Sequence, residues 1–281
     1  MRREATARQT RVATELRRLR EAADLNARQA AALLGVSPAQ ITHIESGLAG
    51  VSEKRLRRLA SHYSCTDDEF IDALVTMATD RTHGWWEEYR GLLPASFLDL
   101  SELEHHCRYQ ANVAVLFVPG LLQTEEYARA VFSNRIPELS ADELELRVQH
   151  RVARRVVIER VAPISLEAVI HEAALRIRVS DRAASRVQLT RVLELSEADH
   201  ISVRVIPLDL DGFSRGGSSM TYLGGPVTRL DTVIRDAPHG AALVDSEAQL
   251  AECRTRFLKV EAASLEPERS RDFIHTLLKE L

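Results

Sequence analysis

The side chains best suited to recognising another molecule are concentrated in residues 26–46, with the sequence NARQAAALLGVSPAQITHIES. Within that segment, Gln40, Thr42 and His43 carry hydrogen-bond donors and acceptors and lie within four residues of one another. Amide, hydroxyl and imidazole groups can bond the edges of base pairs in the major groove of DNA, which is wide enough to admit an α-helix. The segment therefore favours base recognition, if a helix presents these three side chains outward.

Two short helices separated by a glycine turn are predicted to position these side chains. Asn26 and Ser37 can cap the two helices, and a glutamine three residues after each cap, Gln29 or Gln40, completes a capping box. Gly35 ends the first helix. The apolar residues that can meet where the helices cross, and so leave the polar face outside, are Ala31, Leu34, Val36, Ile41 and Ile44.

This segment resembles the lambda-repressor/Cro-like (XRE) DNA-binding domain. The resemblance is carried by LGVSPAQITHIESG, with its G-V-S turn, its I-x-x-I-E pair and its closing glycine. It implies an all-α domain of five helices that places the second helix of the motif in the major groove of double-stranded DNA. For individual residues it implies base contacts by Ala39, Gln40, Thr42 and His43, phosphate contacts by Asn26, Arg28 and Ser46, and an internal ion pair between Arg20 and Glu45.

The distribution of charge differs between the two ends of the chain. Residues 1–64 contain 12 Lys or Arg and 6 Asp or Glu, whereas the whole chain of 281 residues contains 37 and 41. A basic amino-terminal part suits attraction to phosphate, and an acidic remainder suits contact with a ligand or a protein. The length predicts more than one domain. We expect a DNA-binding domain over residues 1–78, a linker and docking segment over 79–110, and a regulatory or partner-binding domain over 111–281.

Other features of composition bear on location. Cys65, Cys107 and Cys253 are odd in number and widely spaced, and the basic start of the chain lacks the apolar core of a signal peptide. No apolar run approaches the roughly 18 residues of a membrane span. We therefore expect a cytoplasmic protein without a membrane segment.

The pattern beyond residue 111 indicates an α+β domain with a mixed or antiparallel sheet. Five short apolar runs indicate strands, namely VAVLFV (113–118), ISLEAVI (164–170), HISVRVIPL (200–208), SMTYLG (219–224) and TRLDTVIRD (228–236). Five helices are predicted in this part of the chain. One begins at Thr124, one long helix covers 140–160, one covers 180–197, and two, over 245–263 and 266–280, close the chain.

Three further features have residue types found in binding sites. Trp85 and Trp86 are explained as buried aromatic residues at a domain junction, and the alternative is an aromatic platform for a ligand. His105, His106 and Cys107 are consecutive, so on a helix they point about 100° apart and cannot converge on one ion. We therefore expect no metal and no cofactor. The glycine-containing run 209–219, DLDGFSRGGSS, is interpreted as a flexible connection, or else as a lid over a pocket.

No serine lies in a nucleophile elbow, and no cysteine has a histidine placed by a motif. We therefore predict a non-enzymatic protein, with a hydrolase or transferase tethered to a DNA-binding domain as the alternative. The runs GWWEEYRGLLP, VPGLLQTEEYARA, HEAALR, VQLTRVLELS and HISVRVIPLD are similar to an actinobacterial family that includes the WhiJ-type developmental regulators. This second resemblance implies a transcription factor with a small acidic partner protein in an antitoxin-like circuit; a small-molecule effector is the alternative. A homodimer is expected, because one small domain covers only half of a palindromic site.

Overall fold

The computed structural model describes residues 5–210, 218–237 and 240–281. The chain forms two compact units, of which the first is Met1–Gly84 with Pro226–Leu230 and the second is Trp85–Gly225 with Asp231–Leu281. The predicted division at residues 78 and 110 differs from this. Most of the predicted linker, from Trp85 onward, already belongs to the second unit, and a short segment between two of that unit's strands belongs to the first.

The first unit is all-α within its described residues, as predicted. Its helices are α1 (Ala7–Ala22), α2 (Ala27–Leu34), α3 (Pro38–Glu45), α4 (Glu53–His62) and α5 (Asp68–Thr79). Each helix buries one apolar face in a shared core that includes Leu16, Leu34, Ile41, Leu56, Leu59, Phe70 and Leu74. Val227 and Leu230 pack against this core, which explains why their segment belongs to the first unit.

The second unit is an α+β domain built on a six-stranded mixed sheet, so this prediction is confirmed. Its strands are β1 (Tyr109–Ala114), β2 (Ser165–His171), β3 (Ile201–Ile206), β4 (Met220–Gly224), β5 (Thr232–Ala237) and β6 (Gly240–Val244). Their order in the sheet is β3-β2-β1-β4-β5-β6. The pairs β1–β2 and β2–β3 are parallel, whereas β1–β4, β4–β5 and β5–β6 are antiparallel.

Helices cover the sheet. They are α6 (Ala95–His106), α7 (Glu125–Ser133), α8 (Ala141–Ala153), α9 (Val156–Glu159), α10 (Glu172–Arg176), α11 (Arg182–Leu195), α12 (Glu247–Ala263) and α13 (Pro267–Glu280). One buried cluster joins the sheet to α11 and α13 through Ile170, Leu189, Val203 and Ile274. Another joins it to α12 through Val113, Tyr222, Leu250 and Phe257. Among the described residues, no helix is both long and apolar enough to cross a bilayer.

Several predicted elements differ from the structure in their bounds. Strand β1 lies at 109–114, whereas the apolar run 113–118 was predicted, and the single helix over 140–160 is interrupted at Arg154 and Arg155. The capping residue of α5 is Asp67, which accepts from the backbone N–H of Phe70 at 3.0 Å. Helix α6 and strand β6 were not predicted.

Candidate DNA interface

Helices α2 and α3 begin with the two capping boxes that the sequence predicts. The Asn26 side chain accepts from the N–H of Gln29 at 3.0 Å, and the Gln29 side chain accepts from the N–H of Asn26 at 2.8 Å. Ser37 and Gln40 exchange the same two bonds at 3.3 and 3.1 Å. Gly35 ends α2 with φ of 75°, a left-handed conformation that glycine adopts without strain. The helices therefore start at fixed residues and are joined by a tight turn.

The structure leaves the four residues with implied base contacts, Ala39, Gln40, Thr42 and His43, exposed on α3. Ile41 and Ile44, on the opposite side of α3, are buried with 1% and 5% of their surface exposed. The Gln40 carbonyl oxygen serves the capping box, so its amide N–H₂ is the group left to face a partner. Thr42 donates its hydroxyl to the carbonyl of Pro38 at 3.1 Å and can still accept. The exposed face of α3 thus offers both donors and acceptors.

The residues with implied phosphate contacts are also exposed. Asn26 and Ser46 are engaged locally, Asn26 in its capping box and Ser46 as a donor to the carbonyl of His43 at 3.2 Å. Arg28, on α2, is the cation of this set. The structure adds exposed Lys54 and Arg55, which the sequence interpretation did not single out. They share a face of α4 with Arg58, which donates to a carbonyl at the end of α2.

Arg20 and Glu45 form a bidentate ion pair inside the first unit. Arg20 Nε and Nη2 donate to the two carboxylate oxygens at 2.7 and 2.8 Å, and Nη1 donates to the carbonyl of Leu25 at 2.6 Å. The hydrogen bonds that Arg20 donates to Glu45 raise the pKa of Arg20. Burial raises the pKa of neighbouring Tyr63 to about 12. Because Glu45 is the last residue of α3, the pair fixes α3 against α1.

Some of the positive charge of the first unit is engaged within its fold. The Glu15 carboxylate is 1% exposed and lies 2.5 Å from Arg18, 3.4 Å from Arg11 and 3.7 Å from Arg229. The Arg229 guanidinium also lies over the ring of Phe70, 4.3 Å from its centroid. The net charge of the segment therefore overstates the charge available to a phosphate backbone.

Trp85 and Trp86 lie in a 3-10 helix, Trp85–Tyr89, within the second unit. Trp86 is 2% exposed, and its ring contacts His105 of α6 with the centroids 4.9 Å apart. The Trp85 ring contacts that of buried His150 on α8 at 5.2 Å. The tryptophans thus hold the 3-10 helix against α6 and α8. Their predicted part in a domain junction or a ligand platform stays a prediction.

His105 and His106 are the last residues of α6, and Cys107 follows as its C-cap. His105 and His106 stack with each other and with Trp86. Within the described ranges, no group of three or more His, Cys, Asp or Glu residues is placed to hold a metal ion. Most of the glycine-containing run 209–219 lies outside the described residues, so its interpretation as a connection or a lid stays a prediction.

Comparison with protein families agrees with the two units. Residues 11–72 match a family described as a helix-turn-helix domain, which supports DNA as a partner. Residues 97–276 match a family described as a domain of unknown function, DUF5753. No curated protein and no solved structure matches the sequence. Since the second match spans more than half of the chain, the protein belongs to the DUF5753 family and carries a helix-turn-helix domain ahead of that region.

Proposed function

We propose that this protein is a sequence-specific transcriptional regulator that reads double-stranded DNA with α3 and receives a signal through its second unit. The observation that carries the proposal is the exposed polar face of α3 behind a doubly capped helix-turn-helix, in a region that matches the helix-turn-helix family. The protein would act in the cytoplasm without catalysing a reaction of its own. The resemblance to WhiJ-type regulators supports a small acidic partner protein as the signal in an antitoxin-like circuit, and a small molecule is the alternative.

The division of labour among the side chains follows from their chemistry. Gln40 and His43 can bond base edges and so distinguish sequences, with Thr42 as an acceptor and Ala39 as an apolar contact. Arg28 can pair with a phosphate of any sequence, so it would add affinity without selectivity. Asn26 and Ser46 would place backbone and hydroxyl groups near the phosphates.

We expect His43→Ala to relax sequence preference by roughly 1–3 kcal/mol, because one base contact is lost. Arg28→Ala should weaken binding to all sequences alike and reduce the slope of the salt dependence by about 1. The measurement is titration of the full chain with a duplex selected from a random pool and with a scrambled duplex, at several salt concentrations.

Gln40 needs a variant that spares the helix cap. Gln40→Glu keeps an oxygen for the N–H of Ser37 but removes the amide donor, so it should lose selectivity while the helix stays folded. His275→Ala, an exposed change in the second unit, is the matched control. Unchanged selectivity in both His43→Ala and Gln40→Glu would place the recognition face elsewhere.

We also expect a homodimer, with the second unit as the dimerisation element, because a two-fold pair of helix-turn-helix domains reads two half-sites one helical turn apart. Native mass spectrometry of the full chain should give twice the chain mass of 31.5 kDa for the free protein, and two chains per duplex on the operator. A monomer under both conditions would rule the dimer out.

A further inference from the structure

The second unit contains a cavity of about 480 Å³ at the end of β1, bordered by β4. This is the place in the sheet where parallel pairing, β1 with β2, gives way to antiparallel pairing, β1 with β4. Strand β2 lies on one side of β1 and β4 lies on the other, and the cavity is the crevice at this end of β1. Ligands of open α/β sheets bind in such crevices outside the carboxyl ends of parallel strands. The size is within the range of sites for small molecules.

One end of the cavity is cationic. Arg151 and Arg154 both line it, and a nitrogen of each guanidinium group lies close to Gly120. A Cβ on Gly120 would lie 3.1 Å from an Arg154 nitrogen and 3.2 Å from an Arg151 nitrogen. The described residues that line the cavity include no aspartate or glutamate. Two guanidinium groups converging on one point make a site for an anion.

Buried partners hold both arginines in position. The carboxylate of Glu104, which is fully buried, binds Arg154 through two bonds of 2.8 and 2.6 Å. The carbonyl oxygen of the Gln123 side chain accepts from Arg151 at 2.5 Å, and the Gln123 amide is fixed by the carbonyl of Val118 at 2.7 Å. Both guanidinium groups are therefore already ordered, so little conformational entropy is lost when a ligand binds them.

The floor of the cavity carries polar groups from the sheet. Asn112 of β1 and Thr221 of β4 are opposite each other in the antiparallel register, and Asn112 donates to the Thr221 hydroxyl at 2.8 Å. That hydroxyl thus accepts from Asn112 and can donate its own hydrogen to a ligand oxygen. The remaining wall is apolar, formed mainly by Val113, Ala114, Phe117, Val131, Met220 and Ile234.

We propose that this cavity binds a small organic acid, with its carboxylate between Arg151 and Arg154 and its apolar body against the wall between β1 and α7. Arg154 keeps its Nη1 outside the bidentate pair with Glu104, and the positive charge of Arg151 lies beside it, so the two can hold a ligand carboxylate between them. The apolar wall excludes a bare inorganic ion as the preferred occupant. The role of this ligand as the signal rests on the proposed function, whereas the binding itself does not. The sequence pattern does not identify the residues of this site, because they come from separate segments of the chain.

The test uses the full chain and two probes, 4-phenylbutanoate and its neutral amide, titrated by calorimetry, with inorganic phosphate as a third probe. 4-Phenylbutanoate should give a saturable binding curve. Its amide should bind about tenfold or more weakly, because the amide lacks the charge that the guanidinium groups bind. Arg151→Gln should weaken binding of the carboxylate by a similar factor and leave binding of the amide unchanged. Gly120→Ala should do the same, because its methyl group occupies the point where the cations converge.

Gly225→Ala is the control for the second variant, since a Cβ there meets nothing within 4 Å, and it should bind as the unaltered protein does. Tryptophan fluorescence verifies that each variant is folded, because both tryptophans lie in the second unit. Equal binding of carboxylate and amide, binding of inorganic phosphate in preference to both, no binding of any probe, or full binding by Arg151→Gln would each overturn the proposal.

The same preparations separate this proposal from the proposed function. Carboxylate titration without DNA tests the cavity alone, and operator titration without carboxylate tests the helix-turn-helix alone. If both succeed, operator titration with saturating carboxylate measures the coupling between them, for which linkage requires the same factor in both directions, commonly about 5- to 150-fold.

Discussion

Arg154→Met should lower the free energy of unfolding of the second unit by about 3–5 kcal/mol, because it leaves the buried carboxylate of Glu104 without its cation. Glu104 is fully buried, and the side chain of Arg154 is 7% exposed. The two bonds between them join α6 to the end of α8. Methionine has no donor to replace the guanidinium, so the cost of desolvating the carboxylate is no longer offset.

The measurement is urea denaturation followed by tryptophan fluorescence. Both tryptophans lie in the second unit, so this signal reports that unit without assuming that the two units unfold together. Glu104→Leu/Arg154→Met, which removes both charges, is the matched control and should regain most of the lost stability. If the single variant is no less stable than the double variant, the pair does not compensate a buried charge.

The sequence predicts the first unit closely because the features that set it are local. Asn26, Gly35 and Ser37 act on backbone groups within four residues of themselves, and the structure shows the predicted caps and turn. The pair Arg20–Glu45 was implied by the family resemblance, not by the local pattern, and it joins α1 to the last residue of α3. Helix α5 is also capped locally, since Asp67 accepts from the backbone N–H of Phe70 three residues later.

The second unit is harder to predict because long-range pairing decides its elements. Strand β1 contains Gln110 and Asn112, which are polar but buried, so the apolar run that follows gave a stronger strand signal than the strand itself. Gln110 donates a hydrogen bond to Asn112. Asn112 in turn donates to Thr221 on β4, which lies 109 residues away in the chain. Burial of a polar pair cannot be read from local alternation.

The interruption between α8 and α9 has a similar origin. Arg154 and Arg155 were expected to continue a helix rich in charged residues. Instead, Arg154 turns inward to Glu104, and Arg155 donates to the backbone carbonyl of Gln123. The cavity depends on these same contacts, so it was also not predictable from the sequence pattern.

His150, one turn before Arg154 on α8, should make the second unit sensitive to acid. Its ring is 1% exposed and lies among Trp85, Tyr89 and Phe97, with centroids 5.0 to 5.6 Å away. Burial, and then the charges of Arg154 and Arg151, lower its pKa from 6.5 to about 3. The imidazole is therefore neutral in the folded protein at neutral pH, with Nε2 bonded to the hydroxyl of Ser101 at 3.0 Å.

Since the pKa is lower in the folded state than in the unfolded chain, the unfolded chain takes up the proton first as the pH falls. The stabilisation from His150 is fully present above about pH 6.5 and is lost progressively as the pH falls toward 3. Between about pH 7 and pH 5, this group alone should lower the free energy of unfolding by roughly 2 kcal/mol.

Urea denaturation at a series of pH values, followed by tryptophan fluorescence, measures this loss. His150→Gln removes the titrating group and keeps a polar side chain for Ser101, so its stability should fall by roughly 2 kcal/mol less over the same pH interval, even if it starts lower. His275→Gln, at an exposed position of α13, is the matched control and should follow the unaltered protein. A His150→Gln variant that loses as much stability as the unaltered protein would mean that other groups cause the acid sensitivity and that the buried imidazole does not.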